Sequence, residues 1–125
     1  MTTTIAWIML VAGILPIVAA GAAKAGGKAY NNNDPRPWLD KLEGWRARAN
    51  AAQQNLFEGL PFFYAAVLFA LFAQADHNWL VTLMLVWVAL RLAYIGVYIA
   101  GYGSLRTLAW GAALAVNILI LFSAV

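Results

Sequence analysis

Residues 56–73 read LFEGLPFFYAAVLFALFA. Only Glu58 is charged, and the run is about as long as an α-helix needs to cross a ~30 Å hydrocarbon core. Three more stretches have the same character: residues 5–23, residues 79–100 with Arg91 inside, and residues 108–125 with Asn117 as the strong polar group. The spacing predicts four membrane-spanning helices in one all-α domain covering 1–125. No internal repeat divides the chain.

Composition supports this reading. The chain has 125 residues, of which 64% are hydrophobic and 10% charged, and the mean hydropathy is +0.74. A soluble domain carries about 25% charged residues, so a water-soluble globule and a disordered chain are both excluded. There is no cysteine, which excludes disulfides, thiolate metal sites and a cysteine nucleophile. The run 5–23 is read as a retained span rather than a cleaved leader. The residues before it, Met-Thr-Thr-Thr, have no positive side chain, and the run is longer than a leader's apolar segment.

The connections are read from their breakers. Residues 24–39 hold Gly26-Gly27, Asn31-Asn32-Asn33 and Asp34-Pro35-Arg36-Pro37, and the two prolines argue against a continuous helix there. From Trp38 the pattern becomes helical again. Leu39, Leu42 and Trp45 recur at threes among charged residues, an amphipathic lead-in to the second span. Residues 74–78 and 101–105 are short turns. Six of the eight Lys/Arg residues fall between Lys24 and Arg48. That cluster is too sparse and too mixed with acid for nucleic acid. Read as a topology signal, it puts the first and third connections in the cytoplasm and both termini outside.

Ionisable groups inside spans are costly, so Glu58 and Arg91 are the first functional candidates. Asn55 and Glu58 are three apart on one helical face, with Gln54 a turn before Glu58. Arg91, Tyr94 and Tyr98 share a face of the third span. The turn at residues 74–78 makes these two helices antiparallel neighbours. Measured from residue 76, Glu58 and Tyr94 both lie ~27 Å along their helices, Asn55 and Tyr98 ~32–33 Å, and Arg91 ~23 Å. The polar faces therefore meet at one level near the cytoplasmic side, and Arg106 follows in the next turn on that side. A carboxylate, an amide, two phenols and two guanidiniums suit a zwitterionic peptide such as glutathione, and equally a lipid headgroup. The structural alternative is a Glu58–Arg91 ion pair that holds two helices together. His77 stands alone, and no metal-ligand spacing, nucleophile triad or phosphate-cradling glycine motif appears.

Arg48-Ala49 leading to Asn55-x-x-Glu58-x-x-Pro61 resembles the second-helix signature of the MAPEG superfamily, the membrane-associated proteins of eicosanoid and glutathione metabolism. Arg91-x-x-Tyr94-x-x-x-Tyr98 followed by Arg106 is similar to its third-helix pattern. The segment Tyr30-Asn31-Asn32-Asn33-Asp34-Pro35-Arg36 looks like a bacterial branch. The resemblance covers nearly the whole chain and implies a homotrimer of four-helix subunits in a bacterial inner membrane. It also implies glutathione as co-substrate, without a metal, held between neighbouring subunits at the cytoplasmic side. By that resemblance Asn55 and Glu58 hold the glutamyl end, and Gln53 matches a position that contacts the peptide in some members. Arg91, Tyr94 and Tyr98 line the third-helix wall. Arg106 stabilises the thiolate as the catalytic residue.

The implied activity is a glutathione transferase or peroxidase acting on a hydrophobic electrophile that enters from the lipid. The superfamily also contains a non-catalytic member that delivers lipid, so an accessory lipid-binding subunit is the alternative. Small four-helix multidrug exporters resemble a pattern with a carboxylate in the first span, which this chain lacks. Two positions depart from the enzymes' pattern. Lys24 and Lys28 stand near the end of the first helix where the family has an arginine, and Ala51 stands where several members carry another.

The charge asymmetry predicts that an alkaline phosphatase fused to the C-terminus is active and a cytoplasm-dependent reporter fused there is silent. The opposite pattern would invert the orientation.

Overall fold

The computed structural model describes residues 2–125 and contains five helices: α1 (Thr2–Lys24), α2 (Pro35–Asp40), α3 (Gly44–Phe72), α4 (His77–Ala100) and α5 (Gly103–Leu121). All but α2 are long and apolar enough to cross a membrane. The protein is an all-helical, multi-pass membrane protein built as a four-helix bundle.

Close packing rests on small residues, because burial from lipid gives helices little hydrophobic drive to associate. Ile5, Ile8, Ala12, Leu15 and Ala19 form one buried stripe along α1, facing Ala52, Leu56, Phe63, Ala66 and Ala70 of α3. Gly13 leaves room for a side chain of α3. The Tyr64 hydroxyl donates to the Met9 carbonyl at 2.8 Å, and a Cβ on Gly13 would lie 2.6 Å from the Tyr64 hydroxyl oxygen. Against α4, the ring of Phe63 stacks on Trp87 with centroids 3.9 Å apart. Ala113, Val116 and Ile120 bring α5 into the same core.

Three expectations about connections are corrected. The first connection is not wholly loop, since α2 starts at Pro35. Prolines are tolerated in a first helical turn, where their missing N–H would have no partner. Leu39 of α2 docks beside Ala23 and Ala49, and Trp38 donates to the Lys28 carbonyl at 3.2 Å. The lead-in from Trp38 does not run unbroken into the second span. The helix stops at Asp40, and Gly44, at φ +64°, starts α3 afresh. α3 then continues through Pro61.

The third connection is shorter than the sequence implied. Gly101 ends α4 in the left-handed region at φ 89°, its N–H bonding back to Val97 and Tyr98. α5 begins only two residues later. Arg106 is therefore in the first turn of α5, with its N–H bonded to the Tyr102 carbonyl at 2.9 Å, rather than in a loop.

The Gly13–Tyr64 contact yields a stability test. Gly13→Ala should displace the hydroxyl and lower thermal stability by about 1 kcal/mol, the usual net worth of one such bond. In a Tyr64→Phe background the same change should cost little, and equal costs in both backgrounds would contradict the contact.

Candidate functional site

The polar side chains of three helices converge at the end of the bundle where α4 turns into α5. Asn55 and Glu58 of α3, Tyr94 and Tyr98 of α4 and Arg106 of α5 line one cavity of about 370 Å3. This volume falls in the range of small-molecule sites. The level-matching expected from helical rise brings together Asn55, Glu58, Tyr94 and Tyr98, and Arg106 joins them from α5. Gln54, one turn from Glu58, is also on the wall. Sequence reasoning missed Thr107 and Trp110 of α5. The signal for Trp110 was its i+4 spacing from Arg106.

Arg91 lies deeper. It is 2% exposed and forms part of the floor between α3 and α4. Its Nη2 donates to the Asn55 carbonyl at 3.1 Å and to Asn55 Oδ1 at 3.2 Å. The ion pair with Glu58 is thus replaced by a tie to Asn55. Gly59 eases the approach: a Cβ there would sit 3.1 Å from the same nitrogen, a tight contact. Arg91 Cζ also lies 4.8 Å from the Tyr94 ring centroid. Tyr94 meets Tyr98 edge to face at 5.5 Å, and Arg106 Cζ stands 4.7 Å over the Tyr98 ring. Cations over rings in this way gain about 1–2 kcal/mol where water is scarce. The chain Arg91–Tyr94–Tyr98–Arg106 orients both phenols and both guanidiniums.

Gln53 lies apart from these groups. It lines a separate cavity of about 410 Å3 with Arg36 and Asp40, and Glu58 borders both spaces. Two residues of helix turn Gln53 about 200° away from Asn55. Lys24 lies 5.5 Å from the Tyr30 ring, and neither it nor Lys28 lines the 370 Å3 cavity. Ala51 does line it, so the wall is open where an arginine is absent.

Arg48 fixes the geometry of this end. Its Nε donates to the Ile99 carbonyl at 2.9 Å, one of the last-turn acceptors that a helix leaves without an internal partner. The guanidinium lies against Gly101, where a Cβ would be 3.5 Å away. α3 is thereby clamped to the turn that sets the position of Arg106.

The class defined by these features is a four-span membrane protein with a polar cavity at one end of its bundle. The chain matches the MAPEG family over residues 3–125, and it belongs to that family. Membership places it among membrane proteins of glutathione-related or eicosanoid metabolism, which associate with glutathione and lipid substrates. No curated protein and no solved structure matches the chain.

Removing the clamp has a readable cost. Arg48→Ala should lower thermal stability by about 1.5–3 kcal/mol, as expected for losing a hydrogen bond from a charged donor. An unchanged melting profile would show that the turn holds itself.

Proposed function

We propose that this protein is a glutathione-dependent transferase or peroxidase acting on hydrophobic electrophiles, as a homotrimer in a bacterial inner membrane. The observation that carries the proposal is the joining of a carboxylate, an amide, two phenols and a guanidinium in one 370 Å3 cavity. The donor set fits glutathione. Glu58 takes the ammonium of the glutamyl end, and Asn55 adds directional hydrogen bonding beside it. Arg106 and the tyrosine hydroxyls face the cysteinyl part and its thiol. Glu58 is exposed on the subunit, which supports a neighbouring copy completing the site. Gln53 faces another cavity, and it would serve the peptide held by that neighbour.

Arg106 is the group placed to favour a thiolate. A free thiol titrates near 8.5, and the anion is the nucleophile. The positive end of α5 and the guanidinium in its first turn act on the same volume, and both favour an anion. A two-unit fall in thiol pKa needs about 2.7 kcal/mol. In the transferase reaction the sulfur forms a bond to an electrophilic carbon, and the leaving group departs with the bonding electrons. In the peroxidase reaction sulfur attacks a hydroperoxide oxygen and the O–O bond breaks. The alkoxide leaves with the bonding electrons and takes a proton from water, and the thiol of a second glutathione displaces the hydroxyl of the sulfenic acid as water to give the disulfide. The protein supplies binding, orientation and electrostatics.

Orientation supports the same reading. The lysines and arginines of residues 24–48 lie at the end of the bundle that carries the cavity, as the Arg48–Ile99 bond requires. The positive-inside rule puts that end in the cytoplasm.

Calorimetry with glutathione on the detergent-purified protein is the test. Saturable binding should weaken about ten- to hundredfold in Glu58→Gln while assembly is retained. Unchanged affinity in a folded Glu58→Gln protein would overturn the binding role. Arg106→Ala should keep glutathione affinity within a few-fold and lose most turnover of a generic electrophile. Wild-type turnover in a well-inserted Arg106→Ala protein would end the catalytic assignment. Binding without any turnover in the wild type would favour an accessory lipid-binding subunit.

A further inference from the structure

Glu58 stands where three spaces meet. One is the 370 Å3 polar cavity. The second is a groove of about 240 Å3 below it, between α3 and α5, with Phe62, Trp87 and Leu114 on its walls. The third is the 410 Å3 cavity toward α2. Gln54 also borders the first and the third. Residues 54 and 58 are one turn apart and both exposed, so they form a ridge between the two polar cavities. Beyond the ridge, Arg36 and Asp40 lie at i and i+4 on one side of α2 and line the third cavity. Leu39, buried beside Ala23 and Ala49, anchors α2 there. Arg36 is exposed and is the one cation on that cavity's wall.

The charges of the first cavity do not balance the peptide proposed for it. Glutathione brings an ammonium, two carboxylates and, once activated, a thiolate. Glu58 answers the ammonium. Arg106 is the one cation on that wall and is committed to the thiolate. Ala51 adds no charge, and Arg91 is tied to Asn55. We infer that Arg36 binds the glutamyl α-carboxylate of glutathione, so that the peptide's head group straddles the Gln54–Glu58 ridge, its ammonium on Glu58 and its carboxylate in the cavity beside α2. The inference rests on the glutathione reading and names the residue that recognises one end of the peptide. Connectivity supports it. The α-carboxylate shares a carbon with the ammonium, so the two groups are only ~2.5 Å apart. The rest of the chain leaves toward Arg106, which leaves the carboxylate to the other side of the ridge. A guanidinium matches a carboxylate with two parallel hydrogen bonds. Asp40 and Glu58 select further. Their carboxylates repel a bare anion such as a lipid phosphate, and accept one that arrives with its own ammonium.

The test is a cycle of variants and ligands, read by calorimetry on the detergent-purified protein. Three peptides are compared: glutathione, 4-aminobutyryl-cysteinylglycine, which lacks only the α-carboxylate, and glutathione with its glycyl carboxylate as the amide. Arg36→Gln should weaken glutathione about three- to tenfold, the scale of an ion pair open to water. It should weaken the glycyl amide by the same factor and leave the 4-aminobutyryl peptide unchanged. Arg36→Lys, which keeps the charge and loses the paired geometry, should fall between wild type and Arg36→Gln for glutathione. Unaltered glutathione affinity in folded Arg36→Gln would overturn the assignment. An equal loss for all three peptides would show that Arg36 only holds α2 in place, and a loss that spares the glycyl amide would put the other carboxylate at Arg36. Either result overturns the inference. Wild-type protein that binds no glutathione overturns the glutathione reading and this inference with it, whereas binding indifferent to Arg36 overturns this inference alone.

Discussion

A guanidinium inside a membrane bundle must be given acceptors, and Arg91 takes both of its acceptors from Asn55. The rest of the site depends on that tie. It draws α3 and α4 together at one level, so Asn55 and Glu58 face Tyr94 and Tyr98 across the cavity. Gly59 eases it by leaving the guanidinium room against the backbone of α3. With Arg91 held by neutral oxygens, Glu58 remains free to face the cavity instead of being consumed in an internal ion pair. The Arg91 charge joins the two helices without occupying the carboxylate.

Two further contacts carry the order set by Arg91 to the end of the bundle. Tyr94 and Tyr98 are packed between the guanidiniums of Arg91 and Arg106, each cation over a ring and the rings edge to face. Arg48 joins α3 to the end of α4 by its bond to Ile99, so the α4–α5 turn cannot drift from the wall that bears Glu58. Arg106 is therefore held both by what it touches and by the helix on which it sits. The groove runs from this charged end toward an aromatic interior, a gradient suited to a peptide at the polar end and an apolar partner beyond it.

Much of this was legible in the sequence because helical rise is nearly constant. Counting from one shared turn places Glu58 level with Tyr94 and Asn55 level with Tyr98, and hydropathy alone separates the four spans. Rotation about each helix was less accessible. Arg91 shares a face with Tyr94 by spacing, yet a long side chain reaches past its own face, and it went to Asn55 beneath the cavity. Gln53 lines only the second cavity, whereas its neighbour Gln54 borders both. Boundaries were legible only to a few residues. A left-handed Gly101 closes α4 so tightly that α5 starts before Arg106, a local backbone event that hydropathy does not register. The short helix α2 was hidden because two prolines read as breakers, although a first turn accommodates them.

The central claim is that the cavity between Glu58 and Arg106 binds glutathione and favours its thiolate. The most direct measurement is the ultraviolet thiolate absorbance of glutathione on titration with the purified protein, followed across pH. The account predicts a saturable thiolate signal at neutral pH, with bound glutathione titrating well below its free value near 8.5. Saturable binding with the thiol titrating at its free value, or no binding at all, would contradict it.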